Sequence, residues 1–219
     1  MVSRRLVLAS LVGVPITKIP APSAISRRKS CCLLSEDHAL SQDSQTGYAR
    51  LLEAENIDYF PDISFARPDI IIATAAQTLS REYAYQLARL VHEGCHLIYE
   101  SGLGYAGSQQ RSDQSELLNT MLGIRALTSP VLASSELYVT YQWPHKTLLR
   151  SYGSVTPVLC HQLEVIMHHG GTAVGLFRRV GQGILIFLGS PLGLGLYAEE
   201  REARAIGVSL LKALAAARG

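Results

Sequence analysis

The sequence predicts an α/β fold: one domain over residues 29–219, with a three-layer architecture in which helices cover both faces of a mostly parallel sheet. Three observations lead there. Short apolar runs alternate with longer stretches of helical periodicity, and the connections between them are brief. The clearest run, Ile70-Ile71-Ile72-Ala73, is continuous and β-branched, as strands buried on both faces are.

The elements follow in order. Ser30-Cys31-Cys32-Leu33-Leu34 reads as a strand, and Tyr48, Leu51, Leu52 and Glu55 give a helix over 44–55. Asp58-Tyr59-Phe60 starts a second extended piece. After the strand at Ile70, Ser80 N-caps a helix with Tyr83, Leu87, Leu90 and Val91 on one face, and Gly94 ends it. Cys95 to Tyr99 is the next strand, and Glu100-Ser101-Gly102 reads as the turn beyond it. Residues 103–150 read as an insertion decorating the carboxyl edge, with a helix at 114–122, a strand at 136–141 and the lone Trp143. Residues 172–177 and 183–189 form a strand pair joined by a turn at 178–183, placed at one side of the sheet. A helix over 199–217 closes the domain.

Composition excludes several function classes. With 219 residues, 47% hydrophobic, the chain can bury one sizeable core, and a formal charge of +2 with no aromatic-interleaved basic run argues against nucleic acid. Residues 1–28 form a leader: Arg4-Arg5, an apolar run from Leu6 to Val14, then Pro15, Pro20 and Pro22. This is the tripartite layout of an export signal, and Ser3-Arg4-Arg5 resembles the start of a twin-arginine leader, which implies a periplasmic protein; without it the chain would be cytoplasmic. The run is too short to span a bilayer, so the protein is not transmembrane. The four cysteines, Cys31, Cys32, Cys95 and Cys160, form no C-x-x-C motif and read as core groups, with a Cys95–Cys160 disulfide left open.

Three stretches carry a resemblance to the class I glutamine amidotransferase-like domains. They are the strand at 69–73 leading through a helix to "VHEGCHLIYESG", "TPVL" before a helix, and "AVGLFRRVGQGILIFLGSPLG". The last is similar to the late hairpin of trehalose-utilisation-like and β-galactosidase-trimerisation-like members. The resemblance covers about residues 29–215 and implies a flavodoxin-like sheet.

The family's chemistry is missing. Its members place a cysteine on a glycine-flanked elbow after the strand that ends here at Tyr99, and a His-x-Glu pair later. Cys95 starts that strand, some 13 Å from its functional end at roughly 3.3 Å per residue, and 189–195 hold no histidine. Ser101 is not in G-x-S-x-G. No catalytic residue, cofactor or metal is therefore assigned; Glu164 and His168, spaced four apart on an expected helix, read as a surface pair rather than a metal site.

The functional expectation is a non-catalytic domain that binds a small polar ligand or a protein partner, with a homo-oligomer left open. The alternative is a hydrolase that uses Ser101 or Glu100 with a histidine from 145–169. Ligands of open parallel sheets sit beyond the carboxyl ends of the strands. The candidate binding residues there are Asp37, Gln77, Glu100, Ser101 and Ser190, roofed by the segment carrying Tyr141, Trp143 and His145.

Overall fold

The computed structural model describes residues 30–35, 39–63, 67–76, 80–101, 108–127, 138–152 and 155–217. The leader, Asp37 and Gln77 lie outside the described residues.

Among the described residues, nine strands make one sheet. They are β1 (Ser30–Leu34), β2 (Asp58–Phe60), β3 (Ile70–Ala76), β4 (His96–Ser101), β6 (Tyr138–Tyr141), β7 (Thr147–Arg150), β9 (Val165–His169), β10 (Thr172–Val180) and β11 (Gly183–Leu188). A small pair, β5 (Arg125–Ala126) and β8 (Val158–Leu159), stands apart from it. The order is β2-β1-β3-β4-β11-β10-β9-β6-β7. The first five strands run parallel, and every ladder from β11 to β7 is antiparallel.

The helices are α1 (Ala39–Ala54), α2 (Arg81–His92), α3 (Ser108–Leu122), α4 (Leu192–Tyr197) and α5 (Arg201–Ala216). The two-residue period of a strand sends alternate side chains to opposite faces. Cys31, Leu33, Ile70, Ile72, Ile98, Ile184 and Ile186 pack with Leu51 of α1, Leu192 of α4 and Leu210 of α5. Cys32, Ile71, Leu97, Tyr99, Leu185 and Phe187 pack with Leu87 of α2 and Leu118 of α3. Both faces of the parallel half are therefore covered by helices, which is why its strands read as unbroken apolar runs. The four cysteines are free thiols.

Four expectations are corrected. The β10–β11 hairpin does not flank the sheet but enters its middle, with β11 beside β4. Its turn is only Gly181-Gln182, because Val180 already pairs with Gly183; Arg178 and Arg179 are strand residues. The segment after "TPVL" is a single 3₁₀ turn, Gln162–Glu164, followed by strand β9, so Glu164 and His168 share no helix face. From the segment read as an insertion, β6 and β7 extend the sheet itself.

Glu164 has a different partner. Arg178 Nε and Nη2 each donate to its carboxylate at 2.8 Å, and Nη1 donates to the Gly123 carbonyl at 2.7 Å. This fork joins β10, the 3₁₀ turn and the end of α3. The Arg178 guanidinium holds the Glu164 carboxyl below its ordinary value. Arg178→Met should lower the free energy of unfolding by about 1–2 kcal/mol, the worth of a paired, partly buried charge-assisted fork. The midpoint of urea denaturation would measure it; an unchanged midpoint would mean the fork is solvent-screened.

Candidate functional site

The carboxyl end of the parallel strands is where chemistry would sit, and its centre is Glu100. Glu100 and Ser101 complete β4 rather than forming a turn, and both are fully buried. The strand alternation that points Ile98 at α1, α4 and α5 sends Glu100 to the same side.

Four donors converge on its carboxylate. Oε2 accepts from Ser44 Oγ at 2.6 Å and from the Ala75 N–H at 3.3 Å. Oε1 accepts from the Tyr48 hydroxyl at 2.8 Å and from the Gly193 N–H at 2.9 Å. Each donor has a local cause. Ser44 and Tyr48 are four apart on α1, hence on one face. Ala75 lies where the β3–β4 register shifts between Ala73 and Ala76, with φ at +41°, a left-handed conformation costing about 1 kcal/mol for a residue with a Cβ. Gly193 is in the first turn of α4, where backbone N–H groups lack helical acceptors.

Among the described residues no cation joins these contacts, and all four donors are neutral dipoles. Burial pushes its pKa up, and the four hydrogen bonds oppose that rise. Burial, then the nearby Glu100 charge, also raises the Tyr48 phenol well above its usual value, so it remains a donor.

The packing that permits this is tight. A Cβ on Gly47 of α1 would fall 2.3 Å from the Gly193 carbonyl, so the two helices touch through backbone. Next to Glu100, Ser41 Oγ donates to the Thr74 carbonyl at 2.6 Å, and Thr74 Oγ1 donates to Leu34 at 2.8 Å. A seam of hydroxyls thus joins α1 to the ends of β1 and β3.

Of the candidate binding residues, Glu100 and Ser101 end β4 and project to opposite faces, and Ser190 follows the end of β11, where Leu188 pairs with Glu100. Ser101 Oγ lies 2.7 Å from Thr156 Oγ1, and Ser190 is 3% exposed. Trp143 is elsewhere. β6 runs antiparallel to β9, which shares the direction of β11 and β4, so the β6–β7 turn falls at the amino edge of the parallel strands. Trp143 packs there on Phe177, ring centroids 4.8 Å apart. The expected roof of Trp143 and His145 over the carboxyl edge is therefore corrected. The glycine-rich stretch at 189–195 is largely α4, and the anion that its Gly193 N–H meets is the protein's own Glu100.

The sequence reading missed Ser44, Ala75 and Gly193. One signal was present: Ser41, Ser44 and Tyr48 share the face of α1 that carries Leu51 and Leu52. Hydroxyls on an apolar helix face imply a buried acceptor opposite. Among the described residues, no three His, Cys, Asp or Glu side chains gather to share a metal ion, and no helix is long and apolar enough to cross a membrane.

Comparison with protein-family models and with curated proteins gives no match. Solved structures do match. The cytoplasmic protein STM1381 from Salmonella typhimurium LT2 has a TM-score of 0.63 at 13% identity, over 84% of this chain and 99% of that one. The exo-β-1,4-mannosidase Op5Man5 from Opitutaceae bacterium strain TAV5 has a TM-score of 0.59 at 12% identity, over 86% of this chain and 36% of that one. The β-galactosidase from Bacillus circulans sp. alkalophilus has a TM-score of 0.56 at 16% identity, over 82% and 31%. This chain thus spans about a third of the two glycosidases and nearly all of the Salmonella protein. At these identities the likeness shows the fold alone, and the β-galactosidase among the matches accords with the branch that the sequence resembles.

Proposed function

We propose that this chain is a non-catalytic amidotransferase-like domain that binds a small polar ligand at the carboxyl edge of its sheet. The observation that carries the reading is Glu100. At the strand end where the resembled family keeps its nucleophile, this chain has a carboxylate enclosed by four protein donors and out of reach of solvent. A group so engaged organises its surroundings and does not turn over substrate.

The strand order β2-β1-β3-β4-β11 in the parallel half supports the flavodoxin-like assignment. The binding groups in this reading are Asp37, Gln77, Ser101 and Ser190. Their hydroxyl, amide and carboxylate chemistry suits a neutral polyol or a cation better than a phosphate.

The hydrolase alternative needs a histidine beside Ser101 or Glu100. His168 and His169 are on β9, three ladders from β4, roughly 14 Å at about 4.8 Å per ladder. His145 lies in the β6–β7 turn, at the opposite edge.

Two measurements test the proposal together. Fluorophosphonate should leave the chain unlabelled, and a thermal-shift screen of polyols and cations should yield a ligand whose stabilisation is lost in Ser190→Ala. Stoichiometric labelling of Ser101 would overturn the reading in favour of the hydrolase. A ligand whose shift survives both Ser190→Ala and Ser101→Ala would place binding elsewhere.

A further inference from the structure

The two edges of the nine-stranded sheet are finished differently. β2 has only three residues, begins with Asp58 and is followed at once by Pro61. A short edge bearing charge and proline does not recruit another chain. β7 closes the other side as Thr147-Leu148-Leu149-Arg150, with no proline, and among the described residues no strand lies beyond it. Such an edge leaves a row of backbone donors and acceptors open to another strand.

The surroundings of β7 are suited to a partner. Leu148 is 58% exposed and Tyr138 54%, although Leu149 and Val139 between them are buried. Leu148 pairs with Thr140, and Tyr138 with Arg150, so these four form the outer face of the hairpin. The groove over them is also lined by Lys146, Glu200 and Glu202. Apolar groups together with both signs of charge on one patch are what a self-complementary contact requires.

We propose that β7 pairs antiparallel with β7 of a second copy of this chain, joining the two sheets across a twofold axis. A twofold axis perpendicular to the sheet keeps each face on its own side, so residues two apart in number can be opposed and neighbours cannot. Charge then selects the register. Centring the pair on Leu148 would set Lys146 directly against Arg150 of the second copy, and like charges so placed are destabilising. Centring it on Leu149 sets Leu148 along the aliphatic stem of Arg150. It also sets Lys146 against Tyr152, whose hydroxyl donates to Glu200 at 2.7 Å. Lys146 of each copy thereby meets the other copy's Glu200 carboxylate.

Sedimentation velocity on the full chain, over about 1–100 μM, should show a dimer. Leu148→Lys should raise its dissociation constant by about tenfold or more, the usual scale for a charge forced into an apolar contact. Because Leu148 is exposed in the single chain, the variant should melt with the wild type once both are monomeric. In a Leu148→Cys/Arg150→Cys double variant, mild oxidation should link two chains through the register proposed, beyond any link the native cysteines form. A wild type that stays monomeric throughout overturns the proposal, and so does a dimer indifferent to Leu148→Lys. Cross-linking by Leu148→Cys alone, with none added by the second cysteine, overturns the register.

Discussion

Glu100→Ala should lower stability by about 3 kcal/mol, since two buried backbone N–H groups lose their acceptor at about 1–3 kcal/mol each. The donors are those of Ala75 and Gly193; the Ser44 and Tyr48 hydroxyls can rotate toward other acceptors. In a domain of this size the loss corresponds to a fall in melting temperature of about 6–12 °C. Glu100→Gln keeps the volume and one acceptor oxygen, and should cost less than half as much. The pH dependence separates charge from shape. The folded state holds the Glu100 carboxyl above its ordinary value of 4.5, so it binds that proton more tightly than the unfolded chain does. The contribution is full below about 4.5 and is lost as pH rises through the folded value. Glu100→Gln cannot titrate, so the wild type should lose stability against it across that window. Chemical denaturation of both proteins from about pH 4 to about pH 8 would show it. A constant difference would mean that Glu100 titrates normally.

Gly193→Ala should cost about 2–3 kcal/mol through overpacking. The new Cβ would fall 1.9 Å from Ser44 Oγ, 2.7 Å from the Ser44 carbonyl and 2.9 Å from its Cα. The last two are helix backbone and cannot swing away, so α4 must shift off α1 and the Gly193 N–H must leave Glu100. Combining it with Ser44→Ala removes the side-chain part of the clash only. The double variant should therefore be more stable than the two single losses summed, yet well short of Ser44→Ala alone. A thermal or urea melt of the four proteins gives the cycle. Strict additivity would mean that the helices separate freely.

The strands of the parallel half were legible because both their faces are buried, which leaves unbroken runs such as Ile70 to Ala73 and Ile184 to Leu188. The helix of Ser80 to Gly94 was legible from its cap and its stop. Other features were hidden for physical reasons. β9 carries His168 and His169 among apolar residues, a pattern that fits a strand or a helix equally over five positions. Six-residue α4 contains two glycines and resembles a loop, because close approach to α1 outweighs helix propensity there. Strand order is not a local property, so nothing near Gly183 announced that the hairpin would enter the sheet's centre. The site was half visible. Glu100 was singled out, but its donors come from residues 44, 48, 75 and 193, and only the fold brings them together.

The central position of β11 has a consequence for a chain emerging from the ribosome. β4 is complete at Ser101, but its parallel neighbour begins at Gly183, and the donor that completes the Glu100 clamp lies 93 residues downstream. Until then a nascent chain carries β1, β3 and β4 with one long flank open, and a carboxylate that still lacks one of its four donors. Closing so large a loop is slow and precedes any reward from the contacts it forms. The amino-terminal half therefore cannot lock as it is synthesised. Productive folding waits for the last sixth of the chain, and the exposed flank of β4 is the surface that a chaperone would have to cover in the interval.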